Sequence, residues 1–137
     1  MSAKRDDRGA AGVEAALAVT ALLMVGFFLV GAIRILGSSG DVDAAAHAGA
    51  RAAAAERDLG SASAAAQTVV AEMLGARGVA CTDLAVNVGG EVSAGGIVTV
   101  QVSCTVRLAD AALAGFPGST TVSGSGVEQV DVVRGGG

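Results

Sequence analysis

"AALAVTALLMVGFFLVGAI", residues 15–33, is a run of nineteen residues without a charged side chain. At about 1.5 Å per residue, a helix of this length approaches the roughly 30 Å hydrocarbon core of a bilayer, and a helix satisfies its own backbone groups there. The run predicts one membrane span, placed within a transmembrane helix at residues 10–37. Over the 137 residues, a hydrophobic share of 52% would suit a single soluble domain if spread evenly. Here it is concentrated at one end.

The flanks orient the span. Lys4, Arg5 and Arg8 precede it and Asp41 and Asp43 follow it, so the tendency of cationic flanks to stay in the cytoplasm puts the N-terminus inside and everything after residue 38 outside. Arg34 interrupts the apolar sequence near the outer interface, where its stem lies along the helix and its guanidinium reaches water. A cleaved secretory signal is the competing reading of this segment. Its apolar stretch is ordinarily about 7–15 residues, shorter than the one here.

Outward from the span, residues 41–77 form an Ala-rich helical segment, "DVDAAAHAGARAAAAERDLGSASAAAQTVVAEMLGAR". Alanine loses no side-chain entropy in a helix and is the strongest helix former. "GSSG", residues 37–40, marks a break or bend, with Ser39 or Asp41 capping a new start. Ala44/Ala48 and Gly49/Ala53 are small residues four apart that admit a second helix closely. In the second helical piece, Ser61 or Ser63 is the expected cap and Gly75 the expected stop. Ala62, Ala66, Val69, Val70, Met73 and Leu74 make its apolar stripe.

After Arg77 the period changes from helical to alternating. "IVTVQVSCTVRL", residues 97–108, sets Val98, Val100, Val102, Cys104, Val106 and Leu108 on one face and polar residues on the other, the pattern of a half-buried strand. "DLAVNV" before it alternates through Leu84, Val86 and Val88, and "GGEVSAGG" supplies the turn. Residues 120–133, beyond "AGFPGS", read as a third strand weakened by Gly124 and Gly126. The fold class is therefore α+β: a long N-terminal helix, half transmembrane and half Ala-rich, then a second helix and an antiparallel sheet of about three strands at 78–137.

Two cysteines, Cys81 and Cys104, complete the inventory of reactive groups. A disulfide, two buried thiols and a metal site are the alternatives, and an exterior location favours the disulfide. A single histidine and two distant cysteines make a poor ligand set, so no metal is expected. His47, one turn after Asp43, reads as a solvated or locally paired side chain. No GxSxG, HExxH or P-loop pattern occurs, so neither an enzyme nor a cofactor nor a small-molecule substrate is expected. From residue 38 onward, ten Asp or Glu oppose five Arg, with no Tyr or Trp, which excludes nucleic acid as a natural partner.

Glu14 stands at the threshold of the span, where an ionised group is costly unless paired. Gly9 precedes it by five positions, so cleavage after Gly9 would release a leader of residues 1–9 and make Glu14 the fifth residue of the mature chain. A short charged leader, Gly, four small or apolar residues, Glu and an apolar helix resemble the class III signal of type IV pilin-like proteins. More narrowly, residues 8–54, "RGAAGVEAALAVTALLMVGFFLVGAIRILGSSGDVDAAAHAGARAAA", resemble the TadE family of minor pilins from tight adherence (Flp) pilus systems. Thr20 stands where that family often has Pro. Ala15 follows Glu14 where major pilins have an aromatic residue.

The resemblance implies cleavage between Gly9 and Ala10 by a prepilin peptidase, and pairing of the Glu14 carboxylate with an amino group released at Ala10. Its implied partners are the membrane, other pilin subunits and the pilus assembly machinery. The expected function is a minor pilin or pseudopilin for assembly, initiation or tip structure of a bacterial adherence pilus. The alternative is a single-pass, membrane-tethered extracellular binding module outside any fibre.

Overall fold

The computed structural model describes residues 7–109 and 117–135. Most of the expected leader and the first half of "AGFPGS" lie outside those residues. In chain order the elements are α1 (Asp7–Ala54), α2 (Leu59–Ala76), β1 (Asp83–Gly90), β2 (Ile97–Arg107), β3 (Ser119–Gln129) and a single 3-10 turn at Val132–Gly135. This is the expected α+β class. The chain divides between Arg34 and Ile35 into two compact units.

The first unit holds the apolar part of α1. Its large side chains are exposed around the whole circumference, among them Leu22, Phe27, Phe28 and Ile33. The one hydroxyl in the run is satisfied within the helix, Thr20 Oγ1 donating to the Ala16 carbonyl at 2.8 Å. The span and the Ala-rich segment form one long helix, as expected, and α1 is helical through residues 37–40, where the sequence offered a break or bend. Restarting a helix leaves several backbone groups at each end without partners and requires a new nucleus. Continuing through four weak formers costs less than that.

The second unit is a two-layer sandwich. β2 is central and pairs antiparallel with β1 on one side and β3 on the other. Leu84 lies opposite Cys104, Val86 opposite Val102 and Val88 opposite Val100, which sets the even-numbered residues of all three strands on one face. That face is the core. Val98, Val100, Val102 and Cys104 are fully buried there, each valine contributing up to about 2 kcal/mol of transfer free energy.

Both helices cover this face. From α1 come Val42, Ala45, Ala46, Ala50 and Ala53, and from α2 come Ala62, Ala66, Val70 and Leu74, all in one cluster with the sheet. The apolar stripe of α2 is the expected one, with Val69 and Met73 half-buried at its margins. Gly49 is where the helices meet: a Cβ there would lie 2.9 Å from Val70 Cγ2.

Gly124 and Gly126, expected to weaken β3, are instead what lets α1 lie on it. A Cβ at Gly124 would sit 2.6 Å from Asp43 Cα, and one at Gly126 would sit 2.7 Å from His47 Cα. The strand surrenders two side chains and gains backbone contact with the helix. It ends at Gln129, not at residue 133, and the chain then turns into the 3-10 segment. β2 likewise stops at Arg107, leaving Leu108 just outside.

The C-terminal end of α1 and both ends of α2 are closed by local hydrogen bonds, and those of α2 depart from expectation. α1 stops at Ala54, where Ala55 and Glu56 donate to the Ala52 and Ala53 carbonyls in a tightening turn. Asp58, rather than Ser61 or Ser63, caps α2: its backbone is extended and its Oδ1 accepts from the Ser61 N–H at 2.9 Å. Gly75 lies inside α2, and the stop is Gly78, with φ of 71°. Gly78 donates to the Gly75 carbonyl and Val79 to that of Leu74, a Schellman closure that returns Val79 to the core.

Candidate functional site

Four groups of residues are positioned for function, and they lie on different parts of the chain. The first is the apolar helix itself. α1 is long and apolar enough to cross a membrane, and Leu22 and Phe28 are 72% and 77% exposed. A surface of this size is far larger than water-facing proteins ordinarily leave open.

The second is the N-terminal end of α1. Gly9, Ala10 and Glu14 all fall on the helix, which begins two residues before Gly9. Gly9 has open space around it, with nothing within 4 Å of an added Cβ. Glu14 is exposed. Among the described residues, neither Gly9 nor Glu14 is buried.

The third is the bridge. Cys81, between α2 and β1, is bonded to Cys104 in the middle of β2, with Cα atoms 5.3 Å apart. Thr82 reinforces the junction, both its N–H and its hydroxyl donating to the Thr105 carbonyl. The disulfide staples the entry of β1 to the central strand. Closing a loop of 23 residues restricts the unfolded chain by about 3 kcal/mol in a chain-entropy estimate.

The fourth group surrounds Asp43. Its Oδ1 accepts from the Ser125 N–H at 3.3 Å, and its Oδ2 lies 3.8 Å from His47 Nε2. The expected local Asp43–His47 pair is present, and both side chains are more than half exposed. Asp43 also borders a polar hollow of 360 Å³ lined by Asn87, Gln101, Ser103, Ser123 and Ser125. Two neighbouring carboxylates have distinct tasks: Asp41, two residues earlier, binds Arg77 Nη1 at 2.6 Å and joins α1 to the end of α2.

Among the described residues no group of three His, Cys, Asp or Glu is arranged to hold a metal ion, and no buried side-chain polar atom lacks a hydrogen-bond partner. Among the described residues the perturbed carboxylate is Asp58, whose pKa is held below its ordinary value by hydrogen bonds from the Ser61 hydroxyl and then the Ser61 N–H. That is a helix cap.

No family model, curated protein or solved structure matches the chain. The functional reading therefore stands on its own residues. Asp41–Arg77 and Asp43–Ser125 were not legible in the sequence, since the partners are 36 and 82 positions apart.

Proposed function

We propose that this chain is a TadE-like minor pilin or pseudopilin, held in the cytoplasmic membrane by α1 with its N-terminus inside and the sheet unit outside. The observation that carries the proposal is the makeup of α1: one uninterrupted helix contains Gly9, Glu14, an exposed apolar run and a second half that forms part of a disulfide-bonded core. A small domain with a core of alanine and valine gains from an oxidised bridge, and such bridges persist outside the cytoplasm.

In this reading a prepilin peptidase cuts between Gly9 and Ala10 on the cytoplasmic side and leaves the span attached. The Ala10 amino group, with an ordinary pKa of about 8, is positively charged near neutrality and compensates the Glu14 carboxylate in the membrane. The pair, within one subunit or between two, docks the helix among other pilin subunits and the assembly machinery. The product is part of an adherence pilus or of its base.

The test is mass spectrometry of the N-terminus in cells with an active prepilin peptidase. The proposal expects a chain beginning at Ala10, and a retained leader in the Gly9→Val variant. A wild-type chain that keeps residues 1–9 at full abundance overturns it. The remaining reading would then be a tethered extracellular binding module, for which the polar hollow beside Asp43 is the place to look.

A further inference from the structure

After Arg34, α1 carries three glycines, Gly37, Gly40 and Gly49, and they differ in their surroundings. Gly49 is required by packing, because Val70 leaves no room for a side chain. At Gly37 and Gly40 an added Cβ would meet nothing within 4 Å. No close approach within the chain explains either one.

Between them stand Ser38 and Ser39, so four successive residues are weak helix formers. Relative to alanine, each glycine lowers the helical population about fivefold and each serine about twofold, roughly 100-fold across the segment. Gly/Ser pairs are among the few sequences at which long helices bend sharply. The segment is also bounded on both sides. Directly after it, Asp41 is tied to Arg77 and Val42 is fully buried, which fixes the start of the docked stretch. Before it lies the apolar run, and the boundary between the two compact units falls at Arg34 and Ile35.

We propose that Gly37–Gly40 is a hinge: a helical segment that opens locally while the apolar helix before it and the docked stretch after it keep their structure. Local opening of this kind occurs where few buried contacts oppose it; Gly37 and Gly40 are exposed, and Ser38 and Ser39 are half-buried. For a chain anchored in a bilayer, the joint lets the sheet unit change direction without unfolding. The inference borrows the membrane reading only for that purpose. It does not depend on cleavage after Gly9 or on a pilus.

Amide hydrogen exchange of the full chain in lipid nanodiscs tests it. The variant combines Gly37→Ala, Ser38→Ala, Ser39→Ala and Gly40→Ala. In the wild type, amides at 37–40 should exchange at least 100-fold faster than those of Ala45–Ala53. The four alanines should slow them by roughly 100-fold, with exchange in Ala45–Ala53 and β2 unchanged. Wild-type amides as slow as Ala45–Ala53 overturn the hinge. So does slowing by less than fivefold, the contribution of one glycine, including the case in which the variant instead changes the oligomeric state and so marks a close-packed partner. An intact N-terminus in the processing experiment would leave this result untouched.

Discussion

Gly126 of β3 lies so close to α1 that a single added methyl group would meet the carbonyl carbon of Ala46 at 2.6 Å. The neighbour is backbone, which cannot rotate away as a side chain can. Gly126→Ala should therefore destabilise the sheet unit by roughly 1–3 kcal/mol, and Gly126→Val by more, as expected for overpacking. Urea unfolding followed by circular dichroism measures this. A Gly126→Val protein as stable as the wild type would mean that helix and strand are farther apart than described.

The bridge should be formed in the native protein. Alkylation without reductant should leave Cys81 and Cys104 unmodified. Reduction should cost about 3 kcal/mol, lowering the thermal midpoint of a unit of this size by roughly 10–20 °C. A midpoint unmoved by reductant would show that the β1–β2 hairpin holds the junction unaided.

Asp58 gives a pH dependence of definite sign. Its folded pKa lies below the unfolded value, so its ionised cap stabilises α2 above the unfolded pKa of about 3.9 and is lost as pH falls through the lowered folded value. Asp58→Ala should be less stable than the wild type at pH 7, and the difference should shrink as pH falls through the lowered folded value. Thermal melts of both proteins across that range decide the matter. A difference that grows in acid would contradict the assigned hydrogen bonds.

Glu14 should matter to assembly and not to the fold. Its side chain is exposed and distant in sequence from every core residue, so Glu14→Gln should leave the thermal midpoint of the sheet unit unchanged. If the pilin reading holds, the variant is still cleaved after Gly9 yet co-purifies poorly with the pilus machinery. Normal incorporation of Glu14→Gln would remove the pairing role.

Much of the fold was legible because it rests on periodicity. The alternation through Val98, Val100, Val102 and Cys104 named the buried face of β2, and the spacing of Ala62, Ala66, Val70 and Leu74 named that of α2. The junctions were less legible. Ser61 and Ser63 were read as the cap and Asp58 was passed over, although all three are capping residues and the extended backbone is at Asp58. Gly75 and Gly78 both satisfy the rule for a helix stop, and only one has positive φ. Gly124 and Gly126 were read by their own strand propensity, whereas what they accommodate is a helix 80 residues earlier. For the candidate site, the pairing of Cys81 with Cys104 was readable from compartment and count. The groups around Asp43 were not, because no local pattern encodes contacts across the sheet.

The bond from the Ser125 N–H to Asp43 has a consequence for how the protein behaves in a crowd. β3 is the last strand of the sheet, and the amides on its outer side are a template on which a strand from another molecule can add. By drawing one of these amides toward a carboxylate carried on α1, the fold spoils the regular ladder midway along its longest open edge and puts a negative charge where an intruding strand would present its carbonyls. β3 itself carries a single charge, Glu128, and the carboxylate set beside its midpoint comes from a helix.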